Sequence, residues 1–172
     1  MNTHLKLTVV AAALLALTGC RQSQATAAAP TGVRVTGASD VEAGRYLTVV
    51  GGCNDCHTAG WNETGGNVPD AQRLTGTNVG WQGPWGVTYP ANLRLTAAAM
   101  SEDDWVAMLR TRKDRPPMPW MNLNAMHEQD SRAVYRYLRA LGPAGERMPE
   151  ATGPGEPART AFIPIAPPQA PR

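Results

Sequence analysis

The chain has 172 residues, enough for one domain with extensions at its ends, and its 16 Lys and Arg against 14 Asp and Glu give a formal net charge of +2. That balance excludes a strongly basic nucleic-acid-binding face and an acidic solvating tail. Apolar residues make up 42 %, yet there is one Phe beside 17 Gly and 15 Pro, so few large side chains exist to fill a core, a shortage that an apolar cofactor at its centre would relieve.

Residues 1–19 read as an export signal: a short polar start with Lys6, then an apolar run from Leu7 to Leu17 that is too short to span a bilayer as a helix. The ending Leu17-Thr18-Gly19-Cys20 resembles the lipobox of bacterial lipoproteins. That resemblance implies cleavage before Cys20, a diacylglycerol on its sulfur, and attachment to a membrane surface without a spanning helix. Residues 20–38 are small and polar and read as a flexible tether. The folded domain is expected over 39–142 and a Pro- and Gly-rich extension over 143–172.

At Ser39 the pattern changes. Ser39 and Glu42 are spaced as a capping box, and Val41, Tyr46, Leu47 and Val50 share a helical face, so a helix is expected up to Gly51-Gly52. Thr58 to Leu95 is rich in Gly, Pro, Asn and Trp without alternation and reads as loops. A second helix is expected over Ser101–Thr111, capped by Ser101 and Asp104, with Trp105, Met108 and Leu109 as its apolar stripe. The proline-rich stretch after it cannot continue the helix. A third helix is expected over Glu128–Leu141, with Val134, Tyr137, Leu138 and Leu141 on one face and Gly142-Pro143 as its stop. The rest is expected to be extended, with Phe162, Ile163 and Ile165 available to dock on the domain. No repeat and no strand pattern stands out.

The chemistry concentrates in Cys53-Asn54-Asp55-Cys56-His57. A structural zinc site needs four ligands, and after loss of residues 1–19 and lipidation of Cys20 only His127 remains to add to these three. A thioredoxin-like redox pair belongs in a βαβ setting, for which the sequence shows no pattern. A catalytic thiol needs a base, and His127 is the lone free candidate. The order Cys-X-X-Cys-His instead specifies covalent haem attachment: two thiols on one helical turn add to the vinyl groups, and the next side chain brings an imidazole under the iron. A methionine opposite that histidine is the electron-transfer pairing. Met100, Met108, Met118, Met121, Met126 and Met148 are available. Met118, between Pro117 and Pro119, is favoured because a fixed backbone presents its sulfur; Met121 is the next candidate. Met108 and Met126 read as packing, and His127 as a surface or capping residue at a helix start.

Five segments, "EAGRYLTVVGGCNDCHT", "GPWGVTYPANL", "SEDDWVAMLRT", "RPPMPW" and "DSRAVYRYLRALGP", together with the tail "PGEPARTAFI", resemble class I c-type cytochromes in content and order, especially small bacterial ones related to the cytochrome subunits of alcohol dehydrogenases. The resemblance implies an all-α fold of three to four helices wrapped around one covalent haem c, with loop-rich connections and an extended C-terminal tail. It implies thioethers at Cys53 and Cys56, a proximal ligand at His57 and a distal one at Met118. It also implies a close crossing of the first and third helices at Gly44, and a Pro69 carbonyl on the other ring nitrogen of His57. Trp85, Tyr89 and Asn92 would lie in the haem environment, near the propionates. One segment departs from the family: "NLRLTAAAM" stands where many relatives have "NLTPD".

With both axial positions filled, iron has no site for substrate or oxygen. The expected role is therefore not enzymatic: one electron is carried on the periplasmic side of a bacterial membrane. The expected partners are redox proteins, a dehydrogenase and/or a terminal oxidase, and the membrane surface through the lipid; no nucleic acid is expected. Arg110, Arg112, Lys113 and Arg115 form a basic cluster suited to steering acidic partners. The alternatives are a dedicated cytochrome c subunit of a periplasmic dehydrogenase complex, or a haem enzyme or sensor with a displaceable sixth ligand.

Overall fold

A computed structural model describes Val35 and residues 37–165. The expected export segment, Cys20 and most of the expected tether lie outside the described residues. Among the described residues no helix is long and apolar enough to cross a membrane.

Among the described residues, six helices and three short strands follow one another. They are α1 (Asp40–Val50), α2 (Cys53–His57), β1 (Gly80–Gly83), β2 (Gly86–Thr88), α3 (Leu93–Ala98), α4 (Glu102–Thr111), α5 (Trp120–Asn124), α6 (Glu128–Leu141) and β3 (Phe162–Pro164), with a 3-10 turn at Asp70–Gln72. The fold is mainly helical but not all-α, which corrects the expected class.

The sheet has strand order β2-β1-β3. β1 pairs antiparallel with β2, Trp81 opposite Thr88, and parallel with β3, Trp81 opposite Ile163. Three-residue and four-residue strands set with glycines carry no alternation to read. Gly80 is needed for packing, since a Cβ there would lie 2.5 Å from Val87 Cγ1. The partner β3 comes from the C-terminal segment, too far along the chain for any local signal.

The helical core is α1 packed on α6, with α3 and α4 against α6. Ser39 caps α1 by accepting from the Glu42 N–H at 3.2 Å, while the Glu42 carboxylate turns to Arg45 instead of closing the box. The buried face of α1 is Ala43, Gly44, Leu47 and Thr48. Tyr46 and Val50, expected inside, are exposed. Gly44 explains this. A Cβ there would sit 2.0 Å from the Ala133 carbonyl oxygen, so α1 and α6 meet backbone to backbone and only small side chains fit between them. The close crossing expected at Gly44 is thus observed.

Ser101 caps α4, its hydroxyl accepting from the Asp104 N–H at 3.1 Å. Trp105, Val106 and Leu109 turn inward, and the Trp105 indole donates to the Ser131 carbonyl at 3.1 Å. On the outside, Arg132 pairs with Glu102, Asp103 and Glu128, and Arg136 pairs with Glu102 and Asp40, which ties the starts of α1 and α4 to α6.

Candidate functional site

α1 ends where Gly52 takes φ +69°, a left-handed conformation open to glycine, and one helical turn later α2 has delivered Cys53, Cys56 and His57. Cys53 and Cys56 are three apart and Cys53 and His57 four apart, so all three lie along one side of a single turn. Both thiols are free rather than joined in a disulfide. Burial, with smaller contributions from Asp55 and Cys56, pushes the Cys53 thiol up to about 11, and burial raises Cys56 as well. Neither is the depressed-pKa thiol that nucleophilic catalysis uses.

His57 is 7 % exposed. Its Nδ1 lies 2.7 Å from the Ala91 carbonyl oxygen. A carbonyl only accepts, so Nδ1 carries the proton and Nε2 keeps its lone pair. Burial lowers the imidazole pKa against the opposing effect of the Ala91 bond, so the ring is held in the neutral form that ligates metals.

The partner of Nδ1 is thus Ala91 and not the expected Pro69. Pro69 is exposed at the start of the 3-10 turn, and its carbonyl accepts from the Gln72 N–H at 2.9 Å. Ala91 reaches the histidine because the chain doubles back: Gly76 N–H donates to the His57 carbonyl at 2.8 Å, Thr77 N–H to Pro90 at 3.3 Å, and Leu93 N–H to Leu74 at 3.0 Å.

Asn54 supports the motif from beneath and was missed in the sequence. It is 1 % exposed. Its amide donates to the Thr48 carbonyl at 3.0 Å, and its oxygen accepts from the Thr58 hydroxyl at 2.8 Å. That hydroxyl accepts in turn from the Leu74 N–H at 2.8 Å. The chain of bonds runs from α1 through α2 to Leu74, which holds φ +59° while wholly buried. A small polar residue between two cysteines gives no hint of this role.

Arg94 was also missed. It is 5 % exposed and has no carboxylate partner. Its guanidinium instead donates to the carbonyls of Gly142 and Leu141, each at 2.5 Å, Ala71 at 2.9 Å and Asp70 at 3.3 Å. The cation therefore sits at the C-terminal end of α6, where carbonyl dipoles favour positive charge. It belongs to the segment 92–100. There Asn92 accepts from the Leu95 N–H at 3.0 Å and caps α3, in place of the expected loop.

Tyr89 and Asn92, expected near the propionates, are engaged with the C-terminal segment. The Tyr89 hydroxyl accepts from the N–H groups of Arg159 and Thr160 at 3.0 and 3.3 Å. The Asn92 amide donates to the carbonyls of Ala144 and Glu146 at 2.7 and 3.1 Å.

Met118 is half-buried in the loop between α4 and α5, and its carbonyl accepts from the Trp120 N–H at 2.9 Å. Met121 is 70 % exposed on α5. Met100 and Met108 pack on the helical core, and Met148 lies over Gly76. His127 is exposed at the N-cap of α6 and makes no side-chain cap bond.

The basic cluster is largely spoken for. Arg110 pairs with Glu128, Arg112 binds Asp114 at 2.6 Å and stacks 4.7 Å over Trp120, and Arg115 donates to the Thr152 carbonyl at 2.7 Å. Among the described residues Lys113 makes no ion pair, and Arg115 bonds to carbonyls rather than to a carboxylate.

Among the described residues, three buried side-chain polar atoms lack a hydrogen-bond partner: Trp85 Nε1, Trp120 Nε1 and Thr152 Oγ1. Both indole N–H groups are therefore buried without a protein acceptor. Compared with protein-family models, curated proteins and solved structures, the chain matches none.

Proposed function

We propose that this protein is a single-haem electron carrier of the class I c-type cytochrome kind, lipid-anchored through Cys20 on the periplasmic side of a bacterial membrane. One observation carries the reading: a buried, neutral imidazole whose Nδ1–H is fixed by Ala91, leaving Nε2 to ligate, follows directly after two reduced thiols on the same helical turn.

The residues fit a haem. Cys53 and Cys56 would take the thioether bonds, His57 Nε2 the proximal position and the Met118 sulfur the distal one. Addition of S–H across a vinyl double bond needs no oxidant, provided that both thiols are reduced as they are here. Among the described residues no three His, Cys, Asp or Glu side chains converge on a metal site. A porphyrin brings four nitrogens of its own and needs only axial donors, so the sparse donor set suits it. The unpartnered indoles of Trp85 and Trp120 are donors suited to a group bearing carboxylates.

Bound haem would supply one-electron cycling between ferric and ferrous iron. The protein's part is to hold its own groups still. Ala91 fixes the ring tautomer and orientation of His57, Asn54 fixes the turn that carries it, and the prolines on either side of Met118 restrain its own loop. His57 and Met118 held rigidly in this way would keep reorganisation small if they held the haem. The partners suited to this role are a periplasmic dehydrogenase as donor and/or a terminal oxidase as acceptor.

The test is a mass and an optical spectrum of protein purified from the exported fraction. A mass above the lipidated polypeptide by one haem, with a c-type reduced band, is the expected result. A colourless preparation with the mass of polypeptide plus lipid refutes the reading.

A further inference from the structure

We infer that the C-terminal segment is a strap that holds the Met118 loop in place, with Arg115 as the positioning residue that fastens the two. The inference rests on the haem reading above and deepens it, by assigning what keeps the distal donor where it is.

The loop from Arg112 to Pro119 has no regular structure of its own. Asn124 Nδ2 on α5 donates to the loop's Arg112 carbonyl at 3.2 Å, and further bonds reach β2 and the C-terminal segment. The Thr88 hydroxyl on β2 donates to the Pro116 carbonyl at 2.7 Å, and Arg115 Nη1 donates to the Thr152 carbonyl at 2.7 Å, with a longer approach to the Trp85 carbonyl at 3.4 Å. The Arg115 bond is charge-assisted and so among the stronger single hydrogen bonds a loop can make.

Thr152 is a firm anchor. It is buried and bridges Val87 in both directions, its N–H donating to the Val87 carbonyl at 2.9 Å and its own carbonyl accepting from the Val87 N–H at 3.3 Å. The Thr152 carbonyl oxygen thus serves two donors, Val87 and Arg115, one for each lone pair. The approach to β2 depends on Gly86: at φ +98°, a Cβ there would lie 2.1 Å from the Thr152 oxygen.

The segment is fixed on both sides of that point. Asn92 holds Ala144 and Glu146 before it; after it, Tyr89 holds Arg159 and Thr160, β3 pairs with β1, and Ile165 N–H donates to Gln82 at 2.7 Å. Met118 follows Arg115 by three residues and Pro116 by two, so the strap and β2 together set the backbone that presents its sulfur.

The test uses the full-length holoprotein in its ferric form, with imidazole as the competing ligand. Apparent affinity for an external ligand scales with the fraction of molecules in which the distal position is open. Arg115→Ala is expected to bind imidazole about tenfold more tightly, the scale of losing one charge-assisted hydrogen bond, and to weaken the far-red ferric band of sulfur ligation. Arg115→Lys, which keeps a donor, is expected to restore most of both. Amide exchange at Met118 and Trp120, read on the same preparations, is expected to quicken by a similar factor in Arg115→Ala. Gly86→Ala lifts the strap from the other side, and the double variant is expected to exceed neither single variant by much. If Arg115→Ala does not accumulate, Arg115→Met keeps the aliphatic stem and carries the same measurement.

Unchanged imidazole affinity and unchanged exchange in a coloured Arg115→Ala protein overturn the strap and leave the haem reading standing. A wild-type protein without haem overturns both.

Discussion

His57 Nδ1 lies 2.7 Å from the carbonyl oxygen of Ala91, 34 residues further along the chain, and this contact decides the chemistry of the imidazole. It fixes the tautomer, aims the ring and leaves Nε2 as the free donor. A backbone carbonyl does this for any side chain at position 91, so the bond depends on the path of the chain and not on the residue type.

The buried imidazole gives apo protein a pH signature. Its folded pKa is lowered by burial, so its stabilising share is present above the unfolded value of about 6.5 and is lost as pH falls through the folded pKa. Denaturant midpoints of the haem-free chain are expected to fall from pH 7.5 to 5. His57→Gln should flatten part of that slope, and an equal slope in both proteins would contradict a buried neutral ring.

Asn54 is expected to be the costliest polar residue of the motif to truncate. Asn54→Ala removes the bonds to Thr48 and Thr58 in a fully buried setting, a loss of about 1–3 kcal/mol measured by denaturant unfolding. Haem content of the exported protein should fall in parallel, because the turn that presents the thiols loosens.

Gly44→Ala tests the helix crossing. The new Cβ would meet the Ala133 oxygen at 2.0 Å, so α1 must move off α6, at a cost of about 3 kcal/mol. A variant as stable as wild type would mean that the two helices do not meet backbone to backbone.

Arg94→Leu leaves the carbonyls of Leu141, Gly142 and Ala71 without a donor, and about 3 kcal/mol of stability is expected to go with them. Arg94→Lys should recover little, since one ammonium cannot reproduce a planar fork that reaches several carbonyls. Thermal melts of both variants check this.

On the proposed haem reading, the two methionines are expected to separate in the ferric spectrum. Met118→Ala is expected to abolish the far-red sulfur band and Met121→Ala to keep it, because Met121 is largely in solvent while Met118 is half-buried. The reverse result would move the distal donor to α5.

By itself the sequence determined whatever rests on local order. Helical periodicity and caps placed α1, α4 and α6 close to their observed ends, and the spacing Cys53-Cys56-His57 put three functional groups on one turn. The close crossing at Gly44 came only from the resemblance and not from local order, and the structure shows it. The tertiary structure alone decided the rest. It gave the Nδ1 partner to Ala91 rather than Pro69, sent Tyr46 and Val50 outward, and committed Tyr89 and Asn92 to the C-terminal segment. It also made a three-stranded sheet from stretches that read as loop and tail. Each of these depends on a backbone group or a close approach between segments far apart in the chain. Carbonyl acceptors and paths of close approach carry no side-chain signature, so no reading of residue types reveals them before the chain has folded back on itself.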